Sequence, residues 1–184
     1  MNFSMIDLCS KALGKIGACG IVSFDEGTPE ADLAGSFYPV VKARLLSSFP
    51  WSFATRSAGL ARVAGGGLLG YGACFALPND FLSVVKVSPG VPYKIASGRL
   101  CSNAAAVALT YVADVDEAAM PPVFTSAFVY ALAAEFSISL LDDSAKFALF
   151  HKLSNTELKE ARFLDSAQES PKAMENFSLI DVRK

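Results

Sequence analysis

The chain has 184 residues, of which 52% are hydrophobic and 18% are charged, and its formal net charge at pH 7 is -2. A chain of this length can bury a core, and its composition is unlike that of disordered proteins. The 16 basic residues are outnumbered by 18 acidic ones, and nothing in this balance favours binding to a phosphate backbone. We expect a single α+β domain with much apolar surface, which is typical of proteins that contact other subunits.

Helical periodicity predicts a bundle of about four helices, at residues 4–16, 28–49, 122–141 and 145–167. Thr28 followed by Pro29 is a typical helix start, and the run Asp142-Asp143-Ser144 is expected to cap the last helix. Residues 122–141 are apolar on two sides, which predicts a central helix packed on its neighbours. The apolar positions of the last helix predict that one face of it packs inward, namely Leu149, Leu153, Thr156, Phe163 and Leu164.

Between residues 51 and 113 the apolar period changes to two and turn residues multiply, which predicts a small antiparallel sheet inserted between the helices. The strands are expected at residues 52–63, 73–77, 82–87, 93–96, 99–102 and 107–112. Trp51 and Phe53 alternate with small residues directly after Pro50, which favours an extended segment there.

Residues 120–141 are about long enough to span a bilayer. However, two prolines open this stretch, Glu135 lies near its middle and basic flanks are missing, so a buried bundle helix is the better interpretation. Asp7 and Lys11 interrupt the apolar region that a secretory signal requires, and none is expected.

The four cysteines, Cys9, Cys19, Cys74 and Cys101, are scattered and form no CxxC pair. With a single histidine in the chain, a structural zinc site is not expected. We interpret the cysteines as small hydrophobic residues of a protein in a reducing compartment.

No catalytic, cofactor or metal site is predicted. The run from Gly65 to Gly70 matches GxGxxG, but a dinucleotide site needs that loop to open a helix, and here a strand is expected to follow. His151 lies on a charged helix and is interpreted as a surface residue, and the acidic loop at Asp25, Glu26 and Glu30 has too few ligands to hold a cation well.

The order of the short motifs resembles that of head-to-tail adaptor proteins of tailed phages, the tail tubular protein A or tail accessory factor family. Met5 to Gly17 is similar to the family's opening helix, and residues 21–31 resemble the link that follows it. The next motif comprises Tyr38, residues 42–46 and Phe49-Pro50-Trp51-Ser52-Phe53-Ala54. Gly70-Tyr71, the Leu-Pro motif through Pro78, Asp80 and Val84, and Leu109-Thr110-Tyr111 complete the series. Lys42-Ala43 replaces the usual Arg-Asp pair, and Ser83 stands where the family has a basic residue.

This resemblance implies a structural virion protein without catalysis, in which residues 1–170 form the adaptor domain and residues 171–184 form an extended C-terminal arm. Its partners would be the portal protein, other tail or nozzle proteins, and copies of itself in a ring, a dodecamer by resemblance, through which DNA passes without sequence-specific binding or membrane contact. It would be made in the bacterial cytoplasm and function in the virion. The expected interface residues are Phe177, Leu179, Ile180, Val182, Arg183 and Lys184, and the expected structural motif residues are Tyr38, Pro50, Trp51, Phe53, Tyr71, Pro78 and Asp80.

Two other interpretations stay open at this point. One is a different head-completion or tail-tube component of similar build. The other is a small cytoplasmic nucleotide-binding enzyme that uses the glycine loop.

Overall fold

The computed structural model describes residues 3–64, 67 and 70–168. Over these residues the fold is α+β, as predicted, with four α-helices, one short 3-10 helix and two three-stranded antiparallel sheets. The helices are α1 (Met5–Ile16), α2 (Pro29–Ser47), α3 (Pro122–Leu141) and α4 (Ser144–Ser166), with the 3-10 helix at Glu117–Ala119. The strands are β1 (Thr55–Gly59), β2 (Ala73–Ala76), β3 (Phe81–Ser88), β4 (Tyr93–Ala96), β5 (Arg99–Ser102) and β6 (Ala108–Ala113).

The helix boundaries follow local capping chemistry. Thr28 accepts a hydrogen bond from the amide of Ala31 at the start of α2, and Asp143 accepts one from Lys146 at the start of α4. Gly17 ends α1 in the left-handed region, at φ 87°, where a glycine has no steric cost. These predicted caps are confirmed, so short sequence signals set where the bundle's helices begin and end.

Helix α3 is the centre of the bundle and packs against α1, α2 and α4. Phe124, Phe128, Leu132 and Phe136 on this helix are all buried. Helix α3 is long and apolar enough to cross a membrane, and 56% of its most apolar window is buried inside the fold. The prediction of a central bundle helix is therefore confirmed.

The predicted inward face of α4 is wrong. Leu149, Phe163 and Leu164 are 52%, 73% and 43% exposed, while the buried residues of α4 are Phe150, Ser154, Leu158, Ala161 and Asp165. The buried face includes two polar side chains that find partners inside. The hydroxyl of Ser154 donates to the carbonyl oxygen of Ala127 on α3 at 2.8 Å, and the carboxylate of Asp165 accepts from Ser52. A buried polar group that is hydrogen-bonded costs little, so apolar periodicity alone gave the wrong face.

The β region forms two sheets rather than one. One sheet has the order β1-β6-β3 and the other has the order β2-β5-β4, and every pairing is antiparallel. The first strand is shorter than predicted and begins at Thr55, because residues 52–54 form a turn. The hairpin at Ser97-Gly98, with both residues at positive φ, pairs Ala96 with Arg99.

The interpretation of all four cysteines as free thiols is also wrong. Cys74 on β2 and Cys101 on β5 stand opposite each other in register and form a disulfide. Their separation of 27 residues gave no pairing signal in the sequence, since only strand register brings them together. Cys9 is free and buried, and burial raises the pKa of its thiol to about 12, while Cys19 is free and exposed.

Candidate functional site

The predicted site residues divide into two groups. The expected interface residues, Phe177, Leu179, Ile180, Val182, Arg183 and Lys184, lie outside the described residues, as does the whole arm at 171–184. Apart from Tyr71, the expected structural motif residues fall at three joints of the fold. These are the corner after α2, the contact between α2 and the 3-10 helix, and the base of the β1-β6-β3 sheet.

The first joint is an aromatic corner around Trp51. The chain turns at Pro50, where the amide of Trp51 donates to the carbonyl oxygen of Phe49 and the amide of Ala54 donates to that of Trp51. The ring of Trp51 lies 5.0 Å from Phe124 and 5.8 Å from Phe53, and its Nε1 donates to the Leu45 carbonyl oxygen. The extended segment predicted for Trp51 and Phe53 is therefore wrong, because a turn places both rings against Phe124.

Asp165 fastens this corner to the end of α4. Its carboxylate accepts hydrogen bonds from the Ser52 amide at 3.0 and 3.1 Å and from the Ser52 hydroxyl at 2.6 Å. Asp165 is only 8% exposed, and a carboxylate that accepts several bonds from one loop fixes that loop against the helix. The role of Asp165 is not predictable from the sequence, since its partner Ser52 is 113 residues away and no local pattern marks the pair.

A groove of about 410 Å³ adjoins the corner, and we call it the Trp51 groove. Trp51, Phe53 and Phe124 form its inner side, while Leu164 from α4 lies at its other side. Its full lining also includes residues 121–123 before and within α3, and Ala161, Asp165, Ala167 and Gln168 at the end of α4. The groove is within the size range of protein binding pockets, and its surface is mainly apolar.

The second joint is a half-buried polar cluster between α2 and the 3-10 helix. The Tyr38 hydroxyl donates to Glu117 Oε1 at 2.5 Å, and Lys42 Nζ lies 3.0 Å from both Glu117 Oε1 and Asp114 Oδ1. Burial raises the pKa of Tyr38, and the hydrogen bond to Glu117 raises it further. Burial alone would lower the pKa of Lys42, but its two carboxylate partners reverse this and hold the pKa above its ordinary value.

Glu117 is the acidic counterpart in this cluster. Burial would raise its pKa, but the Tyr38 hydroxyl, its own backbone amide and Lys42 together lower it. All three groups are hence held in fixed charge states at neutral pH, with Tyr38 neutral. At neutral pH the cluster therefore joins α2 to the 3-10 helix through an ion pair and a hydrogen bond.

The third joint lies around Asp80, directly after the Leu-Pro motif. Asp80 accepts from Arg56 Nη1 at 2.6 Å and from the Tyr111 hydroxyl at 3.0 Å, which ties the β2–β3 connection to β1 and β6. Burial and the bond to Asp80 raise the pKa of Tyr111. The amide of Phe81 donates to the Pro78 carbonyl oxygen, which closes the turn before β3.

Tyr71 precedes β2 and is half-buried. A Cβ atom on Gly67 would lie 1.4 Å from the Tyr71 carbonyl oxygen, so a side chain at this position would force the loop apart. A strand, β2, follows the glycine loop as predicted, and the feature that a dinucleotide site needs at this point, a helix N-terminus, is not formed by residues 70–76.

The other candidates for chemistry have structural roles. His151 is exposed and stacks on Phe147 at 5.6 Å. Glu26 braces its own loop by accepting from Thr28 Oγ1 and from the amides of Val22 and Ser23, and the bond from Thr28 is the main reason that its pKa is lowered. Within the described part of the chain, no group of three or more His, Cys, Asp or Glu side chains is placed to hold a metal ion.

A second and larger cavity of about 650 Å³ lies between α1 and the N-terminal half of α3. Lys11 and Lys15 line it, with their ammonium groups 3.3 Å above the ring of Phe3 and 4.3 Å above that of Tyr130. These cation–π contacts hold both side chains against the wall of the cavity.

Two apolar side chains on α4 face outward and make up what we call the α4 outer face. They are Leu149, which is 52% exposed, and Phe163, which is 73% exposed. On α2, Val40 is 63% exposed. Leu149 and Phe163 are about 21 Å apart along the helix axis, so they are two separate exposed apolar side chains on one helix.

Comparison with known proteins gives no assignment. No protein-family model matches the chain, and a search of curated proteins finds no similar sequence.

Proposed function

We propose that this chain is a head-to-tail adaptor of a tailed phage, a structural subunit that docks to the portal and extends the DNA channel toward the tail. The observation that carries the proposal is the order of the motifs that resemble this family. Tyr38 and Trp51 come from one of those motifs and Asp80 from another, and each of the three anchors a different joint of the fold. Residues that join structural elements in this way are those that a protein with the same fold as the adaptors would be expected to share with them.

The surface of α4 supports a role in an oligomer. A ring needs two different patches on each subunit, since each copy contacts its neighbours head to tail. The α4 outer face supplies two exposed apolar positions, and Val40 on α2 supplies one on another helix of the bundle. Both helices pack on α3, so these positions are held rigidly with respect to each other.

The charge balance fits a conduit for DNA. With a net charge of -2, the chain lacks the excess of basic residues that would hold a passing phosphate backbone. The Cys74–Cys101 disulfide is also compatible with the proposal, because virions are among the settings in which disulfides persist.

Mass measurement by light scattering tests the proposal directly. The chain is measured alone and then with the portal protein from the same genome neighbourhood. We expect a large ring, or co-elution with the portal at a fixed ratio. A chain that stays monomeric and ignores the portal would contradict the proposal, and a ring that binds a tail protein but no portal would favour another head-completion or tail-tube component.

The arm is tested separately by deleting residues 172–184. We expect this variant to lose portal binding while its far-UV circular dichroism is unchanged, because the deleted residues lie beyond α4. Unchanged ring formation and portal binding would contradict the assignment of this segment as the portal-binding arm.

A further inference from the structure

We infer that in the isolated chain the C-terminal segment, residues 169–184, folds back and places Phe177 in the Trp51 groove. The inference concerns the free protein and does not depend on the proposed function. It starts from where the described fold ends: Ala167 and Gln168 are themselves part of the groove lining. The segment therefore leaves the bundle at the edge of an apolar groove.

The composition of the segment matches that of the groove. Phe177, Leu179, Ile180 and Val182 are apolar and lie within six residues of one another. The groove offers the rings of Phe53 and Phe124 and the side chain of Leu164, with Val123 beside them. An aromatic ring placed among aromatic rings gains both burial and edge-to-face contacts, so Phe177 is the best fitting anchor.

The length of the connection allows this placement. Phe177 lies nine positions after Gln168, a distance along the chain of about 30 Å when extended. A flexible chain of that length has a root-mean-square span of roughly 15–18 Å. Phe177 can therefore return to the groove that Gln168 lines without stretching the connection.

The same connection favours the chain's own segment over that of a second copy. A segment joined by a short linker sees its site at an effective concentration of order millimolar. A second copy in a micromolar solution competes at about a thousandth of that concentration. The groove is therefore occupied from within the same chain under dilute conditions.

Trp51 is a natural reporter, since it is the single tryptophan of the protein and lines the groove. The amides of Val123 and Phe124 are a second reporter. They lie in the first turn of α3, where the N-cap Pro121 makes no side-chain hydrogen bond. First-turn amides have no partner within the helix, so whatever covers the groove governs their exchange.

The experiment compares full-length variants at low micromolar concentration. In Phe177→Ser, we expect the emission of Trp51 to shift to longer wavelength. We also expect the Val123 and Phe124 amides to exchange about tenfold faster, which corresponds to a segment docked in about nine molecules of ten. Ser178→Ala is the matched control within the segment and is expected to change neither signal.

A second pair of variants tests the groove itself. Leu164→Ser removes an apolar contact at the groove and is expected to reproduce the effects of Phe177→Ser. Phe163→Ser, at the neighbouring and more exposed position, is expected to leave both signals unchanged. Combining Leu164→Ser with Phe177→Ser should add little to either single change, because both disrupt one contact.

Three results would overturn the inference. Emission and exchange in Phe177→Ser that match the original chain would show that the segment does not cover the groove. Equal effects of Phe177→Ser and Ser178→Ala would show that no specific anchor exists. The third result is a difference between Phe177→Ser and the original chain that appears only at protein concentrations where the measured mass also rises. It would show that the segment of a second copy occupies the groove.

Discussion

The helical bundle and the β2-β5-β4 sheet are stabilised in different ways. In the bundle, α3 packs against three other helices, and four of its large side chains are fully buried without any covalent link, namely Phe124, Phe128, Leu132 and Phe136. In the sheet, the strands have four residues each, and β4 is mostly exposed. Strands this short make few cross-strand pairs, and here the Cys74–Cys101 disulfide joins two of the strands near the middle.

This difference shows how one chain can combine a robust scaffold with a part that depends on redox conditions. The bundle gains its free energy of unfolding from apolar burial, which reductants do not affect. The sheet relies in addition on a constraint that a reductant removes. Substitutions and reductant should therefore affect the two regions differently, both in how much the free energy of unfolding falls and in where hydrogen exchange becomes faster.

The largest effect is expected from Trp51→Ala in the bundle corner. Trp51 is 1% exposed and contacts three aromatic rings, so its removal leaves a large cavity between α2 and α3. We expect a loss of about 3–5 kcal/mol in the free energy of unfolding. Urea denaturation followed by circular dichroism measures it, since the variant has no tryptophan.

Phe163→Ala is the matched control for that variant. It also removes an aromatic ring, but from a side chain that is 73% exposed. Its expected change is within about 0.5 kcal/mol. A loss below about 1 kcal/mol for Trp51→Ala would show that the aromatic corner does not anchor the bundle.

The next largest effect is expected from removing the disulfide by the double change Cys74→Ala/Cys101→Ala. Its closed loop spans 27 residues in sequence separation, and cross-links of this kind contribute roughly 2–4 kcal/mol. We expect faster hydrogen exchange in β2, β4 and β5 while α3 keeps its protection. Exchange measured by mass spectrometry on peptides from both regions locates the change.

Reductant provides the control for the disulfide. It should weaken the original chain and leave the double variant unaffected, because Cys9 and Cys19 form no disulfide. Equal loss of protection in α3 and in the sheet would contradict the view that the two regions are stabilised separately.

The two regions also differ in how far the sequence predicted them. Helix limits in the bundle were predicted to within a few residues because caps such as Thr28 and Asp143 act locally. The inward face of α4 was not, because Ser154 and Asp165 are buried through partners on distant segments. The Cys74–Cys101 pair was missed for the same reason, since it depends on strand register.

The sequence pointed to the residues at the candidate joints but not to the contacts that these residues make. Tyr38 and Asp80 stood out in the sequence through their motifs, yet their partners Glu117 and Tyr111 are 79 and 31 residues away. Local patterns contain no information on such pairs. Only the packing of α2 on the 3-10 helix, and of β6 beside β1 and β3, shows what each motif residue holds.

A smaller, pH-dependent loss in the free energy of unfolding is expected from Glu117→Gln. Glu117 lies between β6 and α3 and contacts α2, so this variant tests the boundary between the β region and the bundle. The folded state lowers the pKa of Glu117 below its ordinary value of 4.5. Its contribution to stability is therefore present at neutral pH and is lost as the pH falls through that lowered pKa. We expect the variant to lose about 1–2 kcal/mol at pH 7.

At a pH low enough to protonate Glu117, the variant and the original chain should converge. Urea denaturation at a series of pH values from 7 downward measures this. Asp116→Asn is the control, since the side chain of Asp116 makes no cap hydrogen bond and its replacement at pH 7 should change the free energy of unfolding by no more than about 0.5 kcal/mol. A difference between Glu117→Gln and the original chain that stays constant with pH would contradict the charge-based role.

The smallest effect on stability, but a large one on assembly, is expected from Phe163→Asp on the α4 outer face. Phe163 is 73% exposed, so the free energy of unfolding should change by no more than about 0.5 kcal/mol. In a subunit contact the same charge would have to be buried without a partner, which is costly. If the chain forms the ring of the proposed adaptor, this variant should have the mass of a monomer in light scattering.

Asn155→Asp is the control, because it introduces the same charge at an exposed position on the same helix and should form the proposed ring as the original chain does. If both variants formed rings equally well, the bundle would use a surface other than α4 for self-contact, and the exposure of Phe163 would need a different partner.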